Sequence, residues 1–319
     1  MVAIYYRQHG QVQKASSIEV LDKIDAIQLV WVDLNNPEPY EKKRVEAKIG
    51  VGLQDLEDAE EIEFSSRYHE LSNMVVINSS FLVESEGEGA GYENETVSFI
   101  AKNNTLISYR DADIKSFGET VKRFKINPAS FVDGYSFLIS LFESRIDYDA
   151  DILEDLSQQI TNISRNITLD DNLSEDILQE MTILQENCMT IRGNIIDNQR
   201  VISALLRSDY IPDALNSKLR VLIRDISSLL DYTNFAFERL EFLQNSFLGR
   251  VDLQQNRIIK IFTVVTVIFM PPTLIASVYG MNFRVMPELE WGYGYAFAIG
   301  LMVLSSAFTL FLFKKKNWL

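Results

Sequence analysis

Eight residues near the carboxy-terminal end share one helical stripe. Asn256, Ile259, Phe262, Thr266, Met270, Thr273, Ser277 and Gly280 follow one another at steps of three or four. The stripe mixes small oxygen-bearing side chains with bulky apolar ones. A face turned to lipid has no use for the oxygens, so the stripe suits the wall of an aqueous path, although Ser and Thr can also bond their own backbone. Catalytic chemistry finds less footing. His9 and His69 are the only histidines, and Tyr68-His69-Glu70-Leu71 lacks the second His that a zinc-protease helix carries four residues on. Cys188, the single cysteine, has no evident partner base, excludes an internal disulfide and fits a reducing compartment. There is no glycine-rich phosphate loop and no internal repeat. The expectation is a chain that is not an enzyme and uses no cofactor.

The elements that must position the stripe are apolar. Ile261 to Tyr279 is an uncharged run of 19 residues, roughly 28 Å as a helix and near the thickness of a bilayer core. Trp291 to Phe313 is also uncharged, and Lys314-Lys315-Lys316 ends it. The link between them is too short for a domain, so the two runs read as a membrane hairpin. Arg250, Arg257 and Lys260 flank one span and the three lysines the other, which puts both termini in the cytoplasm and Gly280 to Glu290 outside. Hydropathy alone leaves a plain anchor and a pore equally open. Two helices cannot enclose a path, so a pore requires a ring of several copies.

Upstream of the hairpin the texture is soluble. No proline occurs between Asp213 and Pro271, and Leu219, Leu222, Ile226, Leu229, Thr233, Ala236, Leu240, Leu243, Phe247 and Val251 repeat in sevens. One helix is expected from Asp213, its N-cap, to Tyr279, roughly 100 Å of stalk and span together. Two long antiparallel helices precede it, Ser130 to about Ile167 and about Ser174 to Ser208, with a break at Asp170-Asp171-Asn172. The first carries Phe131, Tyr135, Leu138 and Phe142 on one face and acids at Glu143, Asp147, Asp149, Asp151, Glu154 and Asp155. Residues 1 to about 112 read as mixed α/β: strands at Val2–Tyr6, Ile27–Val32, Met74–Val83, Thr96–Ile100 and Leu106–Tyr109, a hairpin at Asn103-Asn104, and helices at Pro39–Ile49 and Asp55–Ile62. Ser85 to Tyr92 reads as a mobile loop, and Met1 to Gly10 lacks the pattern of a signal peptide. The first 256 residues hold 24 basic and 43 acidic side chains, a net of −19. Nucleic acid is a poor partner for such a surface and divalent cations a natural one.

Tyr279-Gly280-Met281-Asn282-Phe283, followed by Met286-Pro287-Glu288-Leu289, resembles the signature of the CorA family of magnesium transporters. Gln255-Asn256-Arg257-Ile258-Ile259-Lys260 and Phe269-Met270-Pro271-Pro272-Thr273 are similar to that family's pore helix, and Lys314-Lys315-Lys316-Asn317-Trp318-Leu319 to its tail. A lone Gly-Met-Asn is weak; between two carboxy-terminal spans, with Met-Pro-Glu-Leu after it, it is specific. The resemblance implies an α+β class: a cytosolic α/β domain (1–127), a long-helix stalk (128–256), a pore span (257–279), an external loop (280–290), a second span (291–313) and a basic tail (314–319). It implies a homopentameric channel of the bacterial inner membrane, with lipid, divalent ions and its own copies as partners.

The resemblance also implies Mg2+ influx driven by the membrane potential and closed by internal Mg2+, with Co2+ or Ni2+ also passing. Gly280, Met281 and Asn282 would form the filter, the Asn282 side chain and Gly280 carbonyl holding the hydrated ion through its waters. Asn256 and Thr273 would add oxygen rings, and Ile259, Phe262 and Met270 an apolar constriction that gates by excluding water. Arg284 stands where many relatives carry an acid, which leaves Glu288 and Glu290 to concentrate cations at the mouth. For the internal sensing sites, the candidates are Asp225, Asp231, Asp55, Glu57 and Asp58. Two other readings stay open: a zinc transporter of the same superfamily, disfavoured by Gly-Met-Asn and by the want of soft ligands in the spans, and a pore-less two-span sensor or scaffold.

Overall fold

The computed structural model describes residues 1–50, 52, 67–71, 74–85, 91–169, 175–282, 284 and 286–316. Its first hairpin joins β1 (Val2–Gln8) to β2 (Gln11–Ala15) through His9-Gly10, both at positive φ (51° and 80°), the backbone that a tight two-residue turn demands. β3 (Leu29–Asn35), α1 (Pro39–Ile49), β4 (Tyr68–Leu71), β5 (Met74–Glu84), β6 (Tyr92–Lys102) and β7 (Thr105–Arg110) follow. Asn103-Asn104 is the expected turn, again at positive φ (50° and 67°), with Lys102 opposite Thr105. Among the described residues the sheet has seven strands in the order β2-β1-β3-β7-β6-β5-β4, antiparallel throughout except where β3 lies parallel to β7.

Period-two alternation gives the sheet two different faces. One carries Ile4, Val32, Leu34, Val76, Ile100 and Ile107 against Ile18, Leu21 and the α1 residue Val45. The other is aromatic. Tyr5 stacks on Trp31 (centroids 4.7 Å apart), and Phe81 and Phe99 lie beside Phe117 of α2 (Lys115–Ile126) and Phe142 of α3 (Gly134–Leu169). α3 can start only at a glycine: the Gly134 N–H donates to the Asn104 carbonyl at 2.7 Å, and a Cβ there would sit 2.3 Å from the Leu106 nitrogen.

α4 (Glu175–Arg207) and α5 (Asn216–Tyr279) complete the helical layer and run antiparallel where they meet. Gln185 bonds Gln244 and Gln199 bonds Ser227, while the Cys188 thiol lies 3.5 Å from the Thr233 carbonyl. The heptad residues Leu219, Leu222, Ile226, Thr233, Ala236, Leu240 and Leu243 are buried and Leu229 half-buried, as a seven-residue pattern requires; Val251 is exposed. α6 (Gly294–Lys315) is last. The chain forms two compact units, Met1–Gln244 and Asn245–Leu319, and the unbroken α5 contributes residues to both.

Several boundaries differ from the sequence expectation. β3 begins at Leu29, because Asp25 and Gln28 cap a short 3-10 turn that leaves Ile27 96% exposed. The first long helix starts at Gly134 and not Ser130, since the Asp133 carboxylate accepts from the Ser136 N–H (2.9 Å) and caps it there; Phe131 is buried but precedes the helix. Asp213 is no N-cap: it opens a 3-10 turn, Asp213–Leu215, and its carboxylate accepts from the Asn216 side chain. The expected helix at 55–62, the break at 170–172 and most of the loop at 85–92 lie outside the described residues.

Candidate ion path in the carboxy-terminal hairpin

The second unit is built around two apolar helices, and what each shows the other decides where the stripe points. Among the described residues, α5 and α6 are the helices long and apolar enough to cross a membrane. From residue 256 onward, the half-buried positions on α5 are Val264, Val267, Ile268, Pro271, Pro272, Ile275 and Tyr279; on α6 they are Gly294, Ala298, Met302, Ser305, Ser306, Thr309 and Phe313. Both sets advance by three and four, with adjacent pairs at 267/268, 271/272 and 305/306, so each is one stripe, and small residues on α6 let the backbones approach. The predicted stripe falls on the rest of α5. Asn256, Ile259, Phe262, Thr266, Met270, Thr273, Ser277 and Gly280 are all exposed. Thus α6 leaves bare the face that carries the oxygens.

The hydroxyls on that face are oriented by their own helix. Thr266 donates to the Phe262 carbonyl and Thr273 to the Phe269 carbonyl, each at 2.8 Å. With its hydrogen spent, each oxygen keeps lone pairs and can only accept. Acceptors are what a hydrated cation needs, since its waters present hydrogens outward. Pro271 and Pro272 do not end the helix: α5 runs to Tyr279, and the carbonyl of Ile268 accepts from Ser306 of α6 at 3.3 Å.

The loop that follows is short and tied down at both ends. The Gly280 N–H donates to the Ala276 carbonyl at 2.9 Å and that of Met281 to Val278 at 3.3 Å, which finishes the helix and leaves Met281 and Asn282 exposed beyond it. A Cβ at Gly280 would press on the Ala276 oxygen at 3.1 Å. Pro287–Glu290 forms a 3-10 turn that passes so close to the start of α6 that Gly294 has no room for a side chain, with the Glu288 oxygen 2.2 Å from where its Cβ would be. Arg284 and Glu290 are exposed and Glu288 half-buried.

Among the described residues, the candidate sensing acids Asp225 and Asp231 are not brought together into a site within one copy. Asp231 is exposed, and Asp225 lies 3.9 Å from its neighbour Arg224. Asp55, Glu57 and Asp58 are outside the described residues. No three His, Cys, Asp or Glu side chains converge on a metal position among the described residues.

A buried polar junction in the first unit escapes sequence reasoning. Arg145 on α3 is 1% exposed; it donates to Ser79 Oγ of β5 (2.7 Å) and to the Asn194 carbonyl and side chain of α4 (3.1 and 2.6 Å), and it covers the Phe81 ring at 4.6 Å. Asn194 reaches on to Asn94 and Ser80, and Asp197, paired with Arg67 at 2.5 Å, accepts from the Ser80 N–H. One turn beyond Arg145, Asp149 is equally buried, 3.9 Å from the Arg145 Nε, and neither of its oxygens has a hydrogen-bond partner. Burial pushes its carboxyl up to about 7, and the Arg145 charge pulls it back only part of the way.

A mixed α/β unit whose last helix continues into an apolar hairpin, with oxygens on the hairpin's uncovered face, is the build of a two-span membrane transporter. The family model described as "CorA-like Mg2+ transporter protein" matches residues 27–315. The magnesium transport protein CorA of Wolinella succinogenes is 35% identical over the full length of both chains. Among solved structures, the complete CorA magnesium transporter of Methanocaldococcus jannaschii superposes with a TM-score of 0.84 at 20% identity, covering 100% of this chain and 99% of that one. The cytoplasmic domain of ZntB from Vibrio parahaemolyticus reaches 0.62 at 14% identity over 78% of this chain and 97% of that one; both superpositions speak for the fold. The chain belongs to the CorA family.

Proposed function

We propose that the chain assembles as a homopentamer in the bacterial inner membrane, both termini cytoplasmic, and admits Mg2+ through a pore lined by α5. The observation that carries this reading is the stripe from Asn256 to Ser277, bare of α6 and leading to Gly280-Met281-Asn282. Mg2+ gives up its waters reluctantly, so neutral oxygens that accept from those waters admit it without stripping them. Asn282, the Gly280 carbonyl, Thr273 and Asn256 take that part, and Ile259, Phe262 and Met270 close the path by excluding water. The entry of a divalent ion across about 100 mV releases roughly 4.6 kcal/mol, so no nucleotide and no catalytic step is needed. Mg2+ is then substrate and regulator, no bound cofactor is required, and Co2+ or Ni2+ pass by the same route.

The test is ion entry into vesicles holding the full-length protein, with Mg2+ and Zn2+ compared. Mg2+ entry is expected to exceed Zn2+ entry, and Asn282→Ala to abolish it while the oligomer stays intact by size. Zn2+ preference would favour the zinc-transporting reading; absence of any flux would favour a sensor or scaffold; loss of the oligomer in Asn282→Ala would make the motif structural.

A further inference from the structure

Pro271 and Pro272 stand within the apolar run of α5, and neither has an N–H to give. In a regular helix those donors would serve the carbonyls four residues back, at Val267 and Ile268. Both carbonyls therefore lose their helical partner at a depth where water cannot replace it. At Ile268 the donor comes from the neighbouring helix: the Ser306 hydroxyl lies 3.3 Å from the Ile268 oxygen. The adjacent hydroxyls of α6 behave differently. Ser305 bonds the Met302 carbonyl and Thr309 the Ser305 carbonyl, at 2.8 and 2.9 Å, both inside their own helix. Ser306 reaches across. At that length the bond is weak in itself; what it prevents is a bare carbonyl in an apolar setting, and that is the costlier state.

We infer that Ser306 is a positioning residue for ion passage: it supplies the donor that Pro272 lacks, and so holds α6 against the weakened rung of α5. The outer end of α5, from Pro272 to Tyr279, leads directly into Gly280-Met281-Asn282. A rung left open at Ile268 lets that end swing, which misplaces the filter oxygens. The inference rests on the ion-path reading of the hairpin.

A mutant cycle tests it on the full-length protein in vesicles, read by Mg2+ entry and by the thermal unfolding midpoint. Ser306→Ala is expected to lower the saturating rate of Mg2+ entry about tenfold with little change in half-saturation, and Ser306→Thr to restore it to within about twofold. In a Pro272→Ala background the new N–H satisfies Ile268 within the helix, so Ser306→Ala should then cost less than about twofold. In a Pro271→Ala background, which restores the partner of Val267 instead, Ser306→Ala should keep its full effect. The thermal midpoint should show the same pattern of coupling. An equal effect of Ser306→Ala in all three backgrounds, or no effect in the wild type, overturns the proposal. A wild type that carries no Mg2+ overturns the ion-path reading, and the thermal cycle then reports the Ser306–Pro272 link on its own.

Discussion

Asp149 is a carboxyl held where a charge is poorly tolerated, and its behaviour with pH follows. Its ordinary value of 3.8 rises to about 7 on burial, so the folded chain holds that proton more tightly than the unfolded chain. Stability is then greatest at this residue while the pH is low, declines as pH rises above the unfolded value, and reaches its full penalty above the folded one. From about pH 6 to about pH 8 the protein should lose on the order of 1 kcal/mol here. Asp149→Asn keeps the shape and should flatten that part of the urea-unfolding profile. Equal slopes in the two proteins would mean that Asp149 is ionised throughout. The sequence does carry a sign of this residue: Leu138, Phe142, Arg145, Asp149, Ile152 and Leu156 step by four and three, and two charged side chains sit in that apolar stripe. Its partners are the part that cannot be read, because Ser79 and Asn194 come from a distant strand and another helix. Asn256, Thr266 and Thr273 were legible for the opposite reason. Their stripe lies on one helix, and a single period of 3.6 brings them together. Ser306 was not, since its role depends on which turn of α6 meets Pro272.

Elements were legible where one pattern ran long. α5 shows its heptads and its apolar run, and the Asn-Asn turn announces its hairpin. Short or mixed elements escape. β4 is Tyr-His-Glu-Leu, an edge strand with no apolar alternation, and β2 is largely polar. α2 carries its buried residues at Ser116, Phe117, Thr120 and Phe124, but Gly118 and Thr120 are weak helix formers and dilute the signal. Glycines in α3 and α2 allow a paired prediction. Gly134 enters α3 against the backbone of β7, so Gly134→Ala must displace one of them and should cost about 2 to 4 kcal/mol. Gly118 lies exposed in α2 with nothing within 4 Å of a new Cβ; there Gly118→Ala should stabilise by about 0.5 to 1 kcal/mol. Urea unfolding of the two variants against wild type checks both signs. If Gly134→Ala is neutral, the close approach of α3 to β7 is not what fixes the start of that helix.

At the scale of the whole molecule, charge is the main constraint on assembly. In the proposed ring, the net of −19 in residues 1–256 would be multiplied by every copy, and a compact assembly of such chains repels itself unless counter-ions enter. Part of the charge is answered within the chain: Asp33 by Arg110, Asp197 by Arg67, Glu84 by Lys115, and Glu143 and Asp147 by Arg123. In that ring the surplus would remain for ions between copies. Mg2+ there would favour the packed, symmetric arrangement over a splayed one, but only by its difference in affinity for the two, so several weak sites must act together. Any splaying would reach the proposed pore because α5 contributes residues to both units. Internal Mg2+ in the millimolar range is therefore expected to suppress current and to protect residues 213–251 against protease, and chelation to reverse both. Raised monovalent salt should give partial protection without Mg2+, since screening relieves the same repulsion less selectively. Charge neutralisation at the acids that face a neighbouring copy should weaken current suppression and protection together. If chelation alters neither the current nor the protease pattern, charge relief between copies is not what closes the pore, whatever the lining of α5 admits.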